Sequence, residues 1–320
     1  MPKSSSKPKP VPVKKPPRDP QRVAAVRRFF VHLTLFACFA GACAAGMFFM
    51  RRYVERKVVF PAKPPRVVLK DRPVWMSDVL AEQVLRTARP NGTHSTFDHK
   101  MLVNVTAALQ ANPWVREVRQ VRRVYGEKPG DTLEIDCEFR APIALVRWGD
   151  YYSLVDGEGT KLPEQFTGSQ APAIIMGHNR KVNIRIVDGV KRPPPEPGQK
   201  WLGEDVSAGL DLVKLLHGQP FAEEVLKVDV DNFEGRVDPR EAQIVLGTKY
   251  GSEVRWGRAV NAKDFFIEVS TDQKLGYMKQ VHEQFGRVDG NQPWIDIRFD
   301  KVTYPSPTHA GASMEPVQVR

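Results

Sequence analysis

Four arginines, at 116, 119, 122 and 123, crowd the stretch "NPWVREVRQVRRV". With Asn112 as cap and Pro113 at the first helical position they would line a basic helix, the usual shape of a nucleic-acid reader. "DVDNFEG" from Asp229 begins like a calcium loop, but its glycine arrives one residue late and Phe233 stands where the fifth position needs an oxygen. The histidines at 94, 99, 178, 217 and 282 lack a ligand spacing. Asp156-Gly157-Glu158-Gly159 reads as a hairpin turn rather than a phosphate cradle, because no helix follows it. There is no Gly-x-Ser-x-Gly, no Cys/His pair with an orienting acid and no isolated carboxylate dyad. These patterns predict a protein that binds rather than catalyses, with no metal, no cofactor and no small-molecule substrate.

The elements that carry the arginines decide between helix and strand. Valines at 115, 118, 121 and 124 are three apart; on a helix each step advances about 300°, so the four drift over roughly half a turn and form no compact stripe. The following run is unambiguous, since Leu133, Ile135, Cys137 and Phe139 alternate with Glu134, Asp136 and Glu138. "GEKPGD" between the two runs is turn chemistry. The pattern predicts a hairpin with arginines facing carboxylates across it, Val121 inward and its N–H in the ladder. Val118 and Val121 cannot both face inward in a flat strand, which predicts a β-bulge at Arg119-Gln120. Asn112 then ends the preceding helix instead of starting a new one, and the nucleic-acid reading loses its basic face.

Composition places the positive charge elsewhere. The 320 residues are 41% hydrophobic and 27% charged, with a formal net charge of +11. Residues 1–72 hold 17 Lys and Arg against Asp19, Glu55 and Asp71, a net +14, which leaves residues 73–320 at −3. The basic residues flank "FFVHLTLFACFAGACAAGMFFM", positions 29–50, 22 residues without a charge. At 1.5 Å per residue such a helix spans about 33 Å, enough for a bilayer core of about 30 Å. Ala42-Cys43-Ala44 has the form of a signal cleavage site, but the apolar run is too long and continues through "GMFFM", which predicts an uncleaved anchor. Lys and Arg number nine before the span and eight in the 22 residues after it, so charge bias alone sets no orientation. The long folded segment that follows predicts the N-terminus inside and the body outside. Cys137 is the sole cysteine of the body, so no intramolecular disulfide is expected there.

Residues 1–28 read as a disordered basic tail, 29–50 as a transmembrane helix and 51–65 as a juxtamembrane linker. "RVVLK" is a short strand. Ser77 caps a helix with Leu80, Val84, Leu85 and Ala88 inward, and Asp98 caps another with Met101, Leu102, Val105, Ala108 and Leu109 on one stripe. Past Pro142 come the strands "IALVRW", "YYSLVDGEGTKLP" with a tight hairpin at Asp156-Gly157, "APAIIMG" and "KVNIRIVDG", then a proline loop "KRPPPEPGQ". A helix from about Asp205 to His217, the strands "VLKVDV", "EAQIVLG" and "SEVRWG", a helix from Asp272 to Phe285 and a last run "PWIDIRFDKVTYP" complete the pattern. Leu275, Met278, Val281 and Phe285 are expected inward. The fold class predicted is α+β, a transmembrane helix followed by a βααββ module and a mainly antiparallel β domain with two helices.

The ordered series resembles the FtsQ/DivIB family of bacterial cell-division proteins. "NPWVREVRQVRRV" and "DTLEIDCEFRAPIALVRW" are similar to that family's Pro-Trp-Val strand, Leu-x-Ile strand and Pro-Ile-Ala junction, and "YSLVDGEG" to its Val-Asp-x-x-Gly hairpin. "APAIIMG", "SEVRWGR", "QKLGYM" and "WIDIRF" continue the match over roughly residues 66–304. The extra residue in the arginine strand, the long "YGEKPGD" turn and the "VKRPPPEPGQKW" loop depart from it at loops and a strand edge. The resemblance implies a POTRA domain at 66–140, an FtsQ-type β domain at 141–305 and a C-terminal tail at 306–320. It further implies a non-enzymatic scaffold at the plasma-membrane division site, recruiting FtsB/FtsL-type bitopic partners. A terminal strand often lies at a sheet edge, where a partner strand can add. The expected edge strand is 294–302, with Trp294, Ile295, Arg298, Phe299 and Lys301 binding the partner and Asp296 helping to set charge register. Of the rival classes, a POTRA-bearing translocation or assembly factor would need tandem modules or a membrane barrel, and a membrane-tethered nucleic-acid binder would need a basic body.

Overall fold

The computed structural model describes residues 20–57, 64–92, 98–124, 132–169, 184–262 and 268–305. The chain divides into two units, Met1–Pro61 and Ala62–Arg320. In the first, helix α1 (Pro20–Lys57) contains Arg27–Tyr53, long and apolar enough to cross a membrane. Phe29, Phe36, Phe39, Met47 and Phe49 are exposed along it, an apolar surface for which the helix itself supplies no cover. The helix runs into the residues that the sequence assigns to tail and linker, because extending a formed helix fixes one residue per hydrogen bond and costs little.

The second unit opens with β1 (Arg66–Leu69), α2 (Asp78–Thr87), α3 (His99–Gln110), β2 (Val115–Val124) and β3 (Thr132–Phe139). Both expected caps form: Ser77 Oγ accepts from the Leu80 amide and Asp98 Oδ1 from the Met101 amide. Asn112 takes the chain out of α3, its Oδ1 accepting from Trp114 N at 3.0 Å and its Nδ2 donating to Thr87 Oγ1 at 2.9 Å. β3 is central, with β1 parallel on one side and β2 antiparallel on the other.

The arginine stretch is strand, and it carries two bulges where the sequence predicts one. Register slips at Arg116 as well as at Arg119. A three-residue spacing minus one bulged residue is a two-residue spacing, so Val115, Val118 and Val121 all reach the apolar side. No bulge lies between Val121 and Val124, and there Arg123 takes the inward place. Arg116 and Arg119 pair with Glu138, and Arg122 pairs with Glu134, exposed contacts worth a few tenths of a kcal/mol each. The Val121 amide is not in the ladder, contrary to expectation. Ile135 gives its carbonyl to Lys70 N on the β1 side at 2.9 Å, so Val121 and Ile135 face each other as a non-hydrogen-bonded pair and the Val121 N–H points out from the sheet edge. The expected turn at 126–131 and the strand "APAIIMG" lie outside the described residues.

The larger sheet orders its strands β11-β10-β9-β8-β7-β4-β5-β6. These are β4 (Pro142–Trp148), β5 (Tyr151–Asp156), β6 (Lys161–Thr167), β7 (Arg185–Asp188), β8 (Val225–Asp229), β9 (Ile244–Thr248), β10 (Glu253–Gly257) and β11 (Trp294–Asp296). Helices α4 (Glu204–Leu216) and α5 (Thr271–Phe285) connect β7 to β8 and β10 to β11. Both crossovers join parallel strands, as does the β4–β7 pairing, so the sheet is more mixed than the expected antiparallel one. Its core gathers Leu212, Val213 and Leu216 of α4 with Met278 and Val281 of α5, Trp256 and Ile295. Phe285 departs from its predicted inward place and is 41% exposed, because Gly286 ends the helix in the left-handed region just after it. Lys274 is buried instead, its Nζ 2.6 Å from Glu268 Oε2 and 5.3 Å from the Trp256 ring centre.

The two sheets share an apolar core across the boundary drawn at residue 140. Trp114, Leu133 and Cys137 pack with Leu145, Leu154 and Leu162 in one cluster. Burial pushes the Cys137 thiol up to about 11, which leaves it protonated and unreactive at neutral pH. Arg140 fastens the junction, donating to Asp156 Oδ2 at 2.7 Å and to Thr160 Oγ1 at 3.2 Å. Glu164 sits in the same place, accepting from Trp114 Nε1 at 3.2 Å with its other oxygen buried and unpartnered among the described residues. Burial raises its carboxyl above the usual range, against the hydrogen bonds from its own backbone and Trp114 that lower it. A carboxyl raised in the folded state stabilises fully below its unfolded pKa and loses that contribution as pH rises through the folded value. Glu164→Gln keeps the acceptor for Trp114 and removes the charge. Thermal melts are therefore expected to favour Glu164→Gln by on the order of 1 kcal/mol at pH 8, with the gain disappearing below the ordinary glutamate range. A gain that stays constant from pH 3 to pH 8 would refute the titration.

Candidate functional site

Unpaired strand edges are places where another chain can add through backbone hydrogen bonds, and the four edges of the two sheets are treated differently. β1 has four residues, and β2 is bent by its two bulges and lined by arginines. The β6 edge is met at its first residue by the proline loop: Lys161 donates to Gln199 O at 3.0 Å and accepts from Gly198 N at 2.8 Å, while Trp201 N reaches Gly159 O. Trp201 is 1% exposed and its Nε1 donates to Arg192 O, which locks the loop in place. The insertion in "VKRPPPEPGQKW" thus pairs with the start of the β6 edge, at residues 159–161.

The β11 end is built otherwise. β11 runs parallel to β10 with Trp294, Ile295 and Asp296 opposite Glu253, Val254 and Arg255. It stops at Asp296, well short of the expected 294–302. The chain bends at 297–300 and returns, so that Asp296 and Thr303 exchange two backbone hydrogen bonds of 2.9 Å. Two bonds hold the bend from outside: Val269 N donates to Arg298 O at 2.8 Å, and Tyr277 Oη to Asp300 O at 2.6 Å. Thr303 turns its amide and carbonyl inward to Asp296, so those of Val302 and Tyr304 turn outward. Among the described residues neither has a backbone partner.

The five predicted binding residues divide on this frame. Ile295 is fully buried in the large core and faces no partner. Arg298 is also committed: its Nε lies 3.1 Å from both Asp296 oxygens, its Nη2 2.7 Å from Oδ2, and its Nη1 donates to Arg240 O at 3.2 Å. The hydrogen bond to Asp296 raises the guanidinium pKa against the opposing effect of burial. Phe299 is half-buried with that guanidinium 5.0 Å from its ring centre, and Trp294 is half-buried with Arg255 stacked at 4.4 Å. Lys301 is exposed. Sequence reasoning put Val302 at the end of the expected strand without naming it as a contact and missed Thr303 and Tyr304, although "KVTY" after Asp300 alternates polar and apolar with period two and carries the signal of a separate strand.

The calcium-like loop is braced by Arg236. Arg236 donates to the carbonyls of Asp231, Val230 and Gly189 at 2.6 Å each and to Asp205 Oδ2 at 3.0 Å. Burial pushes the Asp205 carboxyl up, but hydrogen bonds from the Lys191 and Val206 amides and from Arg236 hold it below the usual range. The loop's own carboxylates are matched by side-chain cations, Asp229 by Lys227 and Asp231 by Lys191.

No protein-family model matches the chain, and none of the curated proteins matches it.

Proposed function

We propose that this chain is a non-enzymatic, membrane-anchored scaffold of bacterial cell division, of the FtsQ/DivIB kind, which recruits FtsB/FtsL-type bitopic partners by strand addition at its C-terminal sheet edge. The observation that carries the reading is the C-terminal edge of the eight-stranded sheet, which presents the outward amides and carbonyls of Val302 and Tyr304. Residues 66–140 are read as a POTRA module, supported by the β1-α2-α3-β2-β3 order with β3 between β1 and β2. Residues 29–50 are read as the membrane anchor, with the N-terminus cytoplasmic and the body outside at the division site. Against nucleic-acid binding stands the pairing of Arg116, Arg119 and Arg122 with carboxylates, on a body that is mildly acidic.

The test is binding of the full chain in detergent to a peptide from the extracytoplasmic segment of an FtsB-type protein. Tyr304→Pro removes an outward donor that the body does not use. It is expected to weaken binding at least about tenfold with an unchanged melt, and equal affinity would sink the edge reading. Topology is read separately, by cysteine labelling at Ser306 in spheroplasts with Cys38 and Cys43 replaced by serine. The buried Cys137 stays silent, and labelling only after membrane disruption would reverse the orientation.

A further inference from the structure

Four peptide bonds join an Asn or Asp to a glycine: Asn91-Gly92, Asp156-Gly157, Asp188-Gly189 and Asp289-Gly290. At such a bond the glycine amide nitrogen can attack the preceding side-chain carbonyl carbon and close a cyclic imide, because glycine puts no side chain in the way. The aspartate bonds are held against this. Asp156 keeps both carboxylate oxygens in hydrogen bonds, Oδ1 with the Glu158 and Thr160 amides and Oδ2 with Arg140. The Gly189 amide donates to Asp188 Oδ1 at 2.9 Å, and Gly189 is pressed so closely on Asp231 that an added Cβ would come 2.4 Å from its nitrogen. Asp289 is fully buried, accepting from Ser252, Arg287 and Asn291, while the Gly290 amide donates to Arg287 O. An ionised carboxylate is also a poor electrophile.

Asn91-Gly92 differs at each point. Its side chain is a neutral amide with ammonia as leaving group, and both residues are exposed just past the end of α2. The Gly92 amide has no backbone partner among the described residues, and no atom beyond its chain neighbours lies within 4 Å of where a Gly92 Cβ would stand. We propose that Asn91 is a self-modification site, converting to aspartate and isoaspartate in the folded protein. Hydroxide takes the Gly92 N–H proton as the nitrogen bonds to Asn91 Cγ; the Cγ–Nδ2 bond breaks and ammonia leaves. Water then opens the imide at either carbonyl. The net change consumes water, releases ammonia and transfers no electron.

The product places a negative charge just beyond the Ala88 cap of α2, at the helix end that disfavours anions. Asn91 lines a cleft between α2 and α3 with Thr87, Met101, Asn104 and Ala108. The new charge, or the extra main-chain methylene of isoaspartate, therefore enters the packing of these two helices.

Peptide mapping of the full chain in detergent at mildly alkaline pH tests this. Asn91 is expected to convert within about tenfold of its rate in the same chain unfolded in urea, since an exposed loop end opens at little cost. The isoaspartate fraction is expected to accept a methyl group from S-adenosylmethionine through an isoaspartate methyltransferase. Asn91→Gln, whose longer side chain disfavours the ring, is expected to abolish the methyl labelling and leave the melt unchanged. Stronger protection of Asn91 in the folded chain overturns the proposal, and so does labelling that persists in Asn91→Gln. The reaction needs no partner, so it stands or falls apart from the scaffold reading.

Discussion

Arg298→Ala is expected to remove partner binding together with about 3–5 kcal/mol of stability, seen as a lower melt of the full chain in detergent and no detectable affinity for the FtsB-type peptide. The side chains of Arg298 and Asp296 are 11% and 7% exposed, so alanine leaves a carboxylate in a poorly solvated place without its counter-charge. The same substitution frees Arg240 O and removes the side-chain ties that brace the bend between Asp296 and Thr303, and with them the support for the outward groups of Val302 and Tyr304. Removing both charges should cost less than the sum of the single changes, because the penalty lies in the orphaned partner. If Arg298 touched the partner directly, as the resemblance implies, alanine would lose binding and leave the melt untouched. That result would overturn the structural role argued for it.

Arg185→Ala is expected to cost a similar amount, about 4 kcal/mol, and to lower the melt by roughly 10 °C. Arg185 is completely buried on β7, between β4 and β8, and burial alone pushes its guanidinium down to about 10. Among the described residues no carboxylate pairs with it. Its Nε donates to Val225 O at 3.1 Å and its Nη2 to Ala222 O at 2.6 Å, holding the turn that leads from α4 into β8, while Nη1 has no hydrogen-bond partner among the described residues. Alanine opens a cavity and orphans both carbonyls. Arg185→Met fills most of the volume and relieves the desolvated charge, so it should recover at least half of the loss. A melt for Arg185→Ala within about 1 kcal/mol of the parent would show that the carbonyls find other donors.

Local signals in the sequence were sufficient wherever one short stretch contained the whole cause. Ser77 and Asp98 cap their helices because the acceptor and the amide it serves are three residues apart. Asp156 closes the β5–β6 hairpin by accepting from the amides of Glu158 and Thr160 in the same way. The bulge at Arg119 was legible because valine spacing and strand period conflict within four residues. The 22 uncharged residues at 29–50 needed no neighbours to be recognised. Other features depend on groups far apart in the chain, and no local pattern contains them. Arg298 could be taken for a binding residue until Asp296, Arg240 and Val269 were seen around it. The proline loop reads in the sequence only as a departure at a loop, and its pairing with the start of β6 depends on a distant segment.

What the sequence by itself determined is therefore the kind of each element and most of its inward face, since period, caps and turn residues act over a few positions. Which edge stays open was decided only by tertiary structure. Backbone N–H and C=O groups are the same in every residue, and whether they are free depends on which distant segment comes to lie beside them.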